Sequence, residues 1–168
     1  MTISMYQASV PVFIRALNNL AGILAKAAAH AETKKIDPSV LLNARLYPDM
    51  FALTRQVQIV SDTAKGGGAR LAGMEPPKFD DNEKGFGELI ERLNKTVEFL
   101  KTLTPEQIDG SEGRTVTLKV RDQVVSQDGL TFLLNRALPN IYFHSTVAYG
   151  ILRHNGVEIG KNDYLGKL

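Results

Sequence analysis

The sequence predicts an all-α protein, a four-helix bundle with one small β-hairpin before the last helix. Three observations lead there. Long segments repeat apolar residues at three-four spacing, the mark of helices with one buried stripe. The stripe Leu46, Met50, Leu53, Val57, Val60 and Ala64 keeps that spacing without a break, as a bundle seam does. Against these stands a single alternating segment, Thr115 to Val120 (TVTLKV), enough for a hairpin and no more.

The first helix is expected from Ser4, a capping residue, to about Ala31, with Val10, Phe13, Leu17, Leu20 and Leu24 buried. Pro11 falls early in it, so the helix either starts at Ser9 or kinks. Glu32 to Asp37 is a polar connection, and Pro38 to Tyr47 a short helix or turn. Pro48 then fits the first turn of the second long helix. Gly66-Gly67-Gly68 weakens the end of that helix by about 1 kcal/mol per glycine relative to alanine. These glycines mark a frayed end or a close helix contact, and Gly73 is the stop after Ala72.

Met74 to Phe79, with Pro76-Pro77, reads as an extended loop. Asp80, Asp81 or Asn82 caps the third helix, whose stripe is Phe86, Ile90, Leu93, Val97 and Leu100. Thr104-Pro105-Glu106 starts one further turn, which Gly110 ends. The hairpin turns at Arg121-Asp122 and returns through Val124 and Val125. The fourth helix runs from Gly129 or Leu130 to Asn155. Its buried face is Leu134, Leu138, Ile141, Ala148 and Leu152, and Pro139 kinks it. The tail Val157 to Leu168 packs back irregularly.

Composition bounds the function. Residues 1–168 suit one helical-bundle domain, long enough to build a core without staples. Without cysteine there are no disulfides, thiolate nucleophiles or thiolate metal sites. The net charge of +2, from 20 basic and 18 acidic residues, is mixed along the chain, and a basic face for nucleic acid is absent. Val10 to Ile14 has no cationic segment before it, as a secretory signal would. No uninterrupted apolar run reaches the roughly 20 residues of a membrane span. The expectation is a cytoplasmic protein that engages neither nucleic acid nor membrane.

Four strings carry a resemblance: YPDMFALTRQVQ (Tyr47 to Gln58), LAGMEPPKF (Leu71 to Phe79), ALPNIYFH (Ala137 to His144) and YGILRHNGVEIGKNDYLG (Tyr149 to Gly166). They are similar to an uncharacterised domain-of-unknown-function family placed with the DinB/YfiT-like helical bundles. The resemblance implies a four-helix bundle, commonly a homodimer. In many such proteins three histidines, one from the second helix and two from the last, hold a divalent metal. Some use it to activate a low-molecular-weight thiol for transfer or isomerisation. Here the second long helix carries no histidine, and Val147 and Ala148 stand three and four residues after His144. A helix presents two ligands to one ion at that spacing. His154 lies ten residues on, roughly 15 Å along the axis. Any zinc or nickel would therefore bind weakly at His144, with carboxylate or water as co-ligands.

The chemistry-bearing residues concentrate near the last helix. His144 sits at the edge of its apolar stripe, and Asp49 and Gln56 flank the seam of the second helix in a similar way. All three are expected to turn inward and form a polar pocket for a small molecule, with Asp49 or Gln56 bonded to the imidazole. Tyr142, Arg153 and His154 complete the expected ligand-binding set, although cations in a last turn also serve the helix dipole. Arg55, Gln58, Asp62 and Lys65 read as a solvated outer stripe. Gly66-Gly67-Gly68 lacks the Gly-Lys-Ser/Thr ending of a phosphate loop.

Overall fold

A computed structural model of the chain describes residues 3–120 and 122–166. Helix α1 (Met5–Lys34) opens with a capping box. The Ser4 hydroxyl accepts the Gln7 N–H, and the Gln7 side chain accepts the Ser4 N–H, both at 3.3 Å. The helix runs unbroken through Pro11. Gln7 and Pro11 both face solvent, so water can satisfy the Gln7 carbonyl that proline leaves unbonded. Lys35, with φ of 55°, ends it.

The apolar stripe of α1 is buried as its spacing predicts: Val10, Phe13, Leu17, Leu20 and Leu24 all lie in the core. By length and composition alone α1 could cross a membrane. In this fold the stripe of α1 named above packs into the helical core.

After the short α2 (Pro38–Leu42), the second long helix starts later than its stripe suggests. Helix α3 spans Leu53–Leu71. Pro48 and Asp49 lie in a turn closed by the Met50 N–H on the Tyr47 carbonyl at 3.0 Å. Leu53 N–H bonds to Ala44 O, and Thr54 Oγ1 to Leu42 O. The segment thus satisfies its backbone outside a helix. Leu53, Val57, Val60 and Ala64 are buried, whereas Leu46 is exposed. Gly73, at φ +71°, provides the expected stop.

Helix α4 (Phe86–Lys101) has Gly85, not Asp80, Asp81 or Asn82, as its N-cap. Asp81 and Glu83 pair with Arg92 instead, and a charged partner outbids a cap. The turn α5 (Pro105–Ile108) follows. Strands β1 (Thr115–Val120) and β2 (Gln123–Asp128) then pair antiparallel, Thr115 opposite Asp128 and Leu118 opposite Val125. Of the expected hairpin turn, Arg121 lies outside the described residues.

The last long helix is composite. A short α6 (Gly129–Phe132) leads into a π-helical turn (Leu133–Ala137) and then α7 (Leu138–His154). In the π turn the Leu138 N–H reaches the Leu133 carbonyl. Pro139 has no N–H for Asn135, and the widened turn absorbs that loss where a kink is expected. The extra residue rotates the helix face. Leu134, expected in the core, is exposed, while Leu133, Ala137, Ile141, Ala148 and Leu152 are buried. The tail is also more regular than expected: α8 (Lys161–Leu165) packs along α1, and residues 167–168 lie outside the described range.

The long helices form a square. α1 neighbours α4 and α7, and α3 neighbours the same two. The glycine triplet is buried inside it. A Cβ on Gly67 would stand 3.0 Å from the Phe13 ring, and one on Gly68 would stand 2.6 Å from Leu100. Close helix contact, not fraying, explains the triplet.

Candidate functional site

The imidazole of His144 crosses from α7 to α3. Its Nδ1 lies 2.6 Å from Gln56 Oε1. The Gln56 amide nitrogen donates to the Phe51 carbonyl at 2.9 Å, which orients the amide and makes Oε1 the acceptor. His144 must then carry its proton on Nδ1, leaving Nε2 with a free lone pair. Burial, and next the nearby Arg55 cation, hold the pKa of His144 below the ordinary 6.5. At neutral pH the ring is uncharged.

The rest of the expected pocket does not assemble around it. Asp49 is exposed in the Tyr47–Met50 turn, because α3 begins only at Leu53. Arg153 and His154 are exposed in the last turn of α7, where they complement the helix dipole. Tyr142 faces a different neighbour, described below.

Metal fits poorly. Among the described residues no three His, Cys, Asp or Glu side chains are placed to share an ion. His144 joins the two helices from which the resemblance draws metal ligands, but its partner on α3 is a carboxamide. Zinc sites are built from imidazole, thiolate and carboxylate groups, so the described residues do not supply a metal centre.

The stripe expected to be solvated is covered. Gln58 and Lys65 are buried beneath the segment linking α3 to α4. At its centre the Arg92 guanidinium, 2% exposed, meets Asp62 at 2.8 Å, Asp81 at 2.9 Å and Glu83 at 2.8 Å. It also donates to Ser61 Oγ and the Asp80 carbonyl. Lys65 Nζ lies 3.9 Å from the centre of the Phe79 ring, a cation–π contact. Burial disfavours the charged Arg92, but Glu83, Asp62 and Asp81 outweigh it and raise its pKa. Burial alone would raise Glu83, and hydrogen bonds from Arg92 and Gln58 lower it overall. Every strong polar group here is answered by a protein partner, so the cluster acts as a staple for residues 75–84.

A cleft of about 330 Å³ opens between α1, α7 and α8. Its walls are Val12, Ala16, Leu20 and Ile23 of α1 with Tyr142 of α7 and Tyr164 of α8. The volume is at the lower end of small-molecule sites. Ser145 also lines it; this side chain is 5% exposed, and its hydroxyl has no hydrogen-bond partner. A mid-helix serine commonly bonds to the carbonyl four residues back, and Ser145 does not.

The segment 161–166 closes one side of the cleft. Arg15 donates through Nε (3.1 Å) and Nη2 (2.8 Å) to the Leu165 carbonyl, and Asn19 Nδ2 to the Tyr164 carbonyl at 2.9 Å. Lys26 pairs with Asp163 at 2.6 Å. Of the cleft residues only Tyr142 was expected at a binding site. Ser145 carried a signal, since Ile141, Ser145, Ala148 and Leu152 keep four-three-four spacing and put a hydroxyl into an apolar stripe.

Four long helices with a hairpin before the last, and a histidine linking the last helix to the second, define a DinB-like helical protein. The family model described as a domain of unknown function, DUF1993, matches residues 5–165, and the chain belongs to that family. A crystal structure of a DinB family member protein from Shewanella denitrificans is similar at 44% identity and a TM-score of 0.87. The match covers 97% of this chain and 92% of that one. No curated protein matches.

Proposed function

We propose that this protein is a small-molecule-binding bundle that works without a metal ion. One observation carries the reading: a cleft of about 330 Å³ opens between α1, α7 and α8, lined mainly by apolar side chains of α1 and by the rings of Tyr142 and Tyr164. The alternative, a divergent metal-dependent thiol transferase, lacks support from the ligand inventory, because the His144 partner is the Gln56 amide. The cytoplasm remains the compartment proposed for it, on the cysteine-free composition.

A homodimer is part of the reading. Leu46, Tyr47, Phe51 and Phe143 are all more than 40% exposed. Leu46 lies over Gly150 of α7, two turns along the face that carries Phe143, and Phe51 precedes the helix that holds Gln56. An apolar patch beside His144 is a surface that a second copy would cover.

The test uses tag-free protein stripped with chelator. The neutral fluorophore N-phenylnaphthylamine should bind with blue-shifted, enhanced emission, unchanged by added zinc or nickel. Binding that appears only after metal is restored, and vanishes in His144→Ala, would restore the metal-dependent alternative. Absence of any binding would remove the small-molecule reading.

A further inference from the structure

We infer that α8 is a movable strap on the α1/α7 cleft: it opens as a unit about Gly160, and a molecule lodged in the cleft fastens it. The opening stands on the packing of α8 alone. The fastening rests on the small-molecule reading above.

Packing changes abruptly at Gly160. Just before it, Val157 is 1% and Ile159 3% exposed, both in the core. After it, no residue of α8 is buried. A segment without buried apolar contacts lies at the low end of local stability, well below the elements it rests on. Gly160 itself is extended, at φ −139°, and an added Cβ would meet nothing within 4 Å. The backbone has room to turn there.

Polar ties hold the strap shut. Towards α1 it is held by Arg15 on the Leu165 carbonyl, Asn19 on the Tyr164 carbonyl and Lys26 on Asp163. Towards α7, Thr146 Oγ1 donates to the Tyr164 hydroxyl at 3.0 Å, and the Tyr164 ring meets Tyr149 edge-on at 6.1 Å. Apart from the Asn19 bond, these hydrogen bonds are solvent-exposed, and exposed bonds are worth little individually. Asp163 has two tasks. Its Oδ2 accepts the Gly160 N–H at 2.9 Å and caps α8, while its Oδ1 takes Lys26. Removing Lys26 therefore loosens the strap without uncapping the helix.

Tyr164 and Leu165 line the cleft. A molecule lying there gains contacts with α8 only while the strap is closed. That difference in affinity shifts the opening equilibrium towards the closed form.

The experiment reads amide hydrogen exchange by NMR on the full chain, with and without N-phenylnaphthylamine. The Asp163 and Gly166 amides, bonded within the segment at 3.0 Å, should exchange about a hundredfold or more faster than amides of α3. The Val157 amide, bonded to the Leu152 carbonyl, should stay slow and mark the boundary. Lys26→Ala should speed exchange in α8 by about two- to fivefold, the effect of one exposed ion pair, and leave α3 unchanged. Fluorophore at about ten times its Kd should slow exchange in α8 by up to about tenfold. The chain has no cysteine, so Lys26→Cys with Asp163→Cys can be joined uniquely by dibromobimane. Joining should slow fluorophore release relative to the unjoined variant.

Exchange in α8 as slow as in α3, or Val157 opening together with α8, would overturn the strap. Bound fluorophore that leaves α8 exchange and its own release from the joined variant unchanged would overturn the fastening and leave small-molecule binding standing. Fast exchange in α8 with no fluorophore binding at all would strike the small-molecule reading and the fastening, and would support the opening alone.

Discussion

Replacing Gly68 by alanine sets two magnitudes against each other. A glycine inside a helix costs about 1 kcal/mol relative to alanine, so from helix propensity alone Gly68→Ala stabilises. The packing opposes it. The new methyl would stand 2.6 Å from Leu100 Cδ2 and 2.7 Å from Leu103 Cδ1. Those are the tips of flexible side chains, but Leu100 and Leu103 are both buried and have little room to swing. Overpacking of this kind costs about 1–3 kcal/mol. The net expectation is a loss of about 1 kcal/mol. Gly22 is the control: it sits on the same bundle, in α1, with nothing within 4 Å of an added Cβ. Gly22→Ala should gain about 0.5–1 kcal/mol. Urea unfolding followed by circular dichroism at 222 nm (the standard helix wavelength) reads both midpoints, with unchanged slopes required. If Gly68→Ala is as stable as the unmodified protein, or rises together with Gly22→Ala, the argument for a close α3–α4 contact at Gly68 is refuted.

The other expectations concern charge and association. Arg92→Met should destabilise by about 2–4 kcal/mol, because Glu83 is left almost buried without its cation while the more exposed Asp62 and Asp81 regain water. Adding Glu83→Gln should recover part of that loss, and a change below about 0.5 kcal/mol for Arg92→Met would show the staple to be unimportant. His144 has a folded pKa below 6.5, so the unfolded chain takes up its proton first. Its contribution to stability is complete above pH 6.5 and is lost as pH falls through the lower folded value. His144→Gln should flatten the pH–stability profile in that window, and an unaltered profile would count against the assignment. Light scattering at micromolar concentration should give a dimer mass for the protein and a monomer mass for Phe143→Lys combined with Leu46→Lys; a monomer mass for the unmodified chain would reject the dimer.

The secondary structure was largely legible from local signals. Ser4, Thr104, Gly73 and Gly110 announce their ends and turns by side-chain chemistry and positive φ, which depend on near neighbours. The stripe of α1 and the alternation of β1 emerged intact for the same reason. Boundaries failed where distant groups competed. The seam through Leu46 and Met50 kept helical spacing, yet local turn bonds and ties to Leu42 and Ala44 hold that segment out of α3. Asp81 and Glu83 look like caps until Arg92, on another element, claims them.

What only the tertiary structure decided is which polar groups share a site. Periodicity brought His144 to the edge of its helix, but the choice of Gln56 over Asp49 required knowing that α3 begins at Leu53. The same limit hid the cleft. Its walls come from α1 and, more than a hundred residues further along the chain, from α7 and α8. A sequence states which side chains are apolar and at what local period, since those depend on the helix repeat. It does not state which faces meet, because packing and burial are set by all the elements at once.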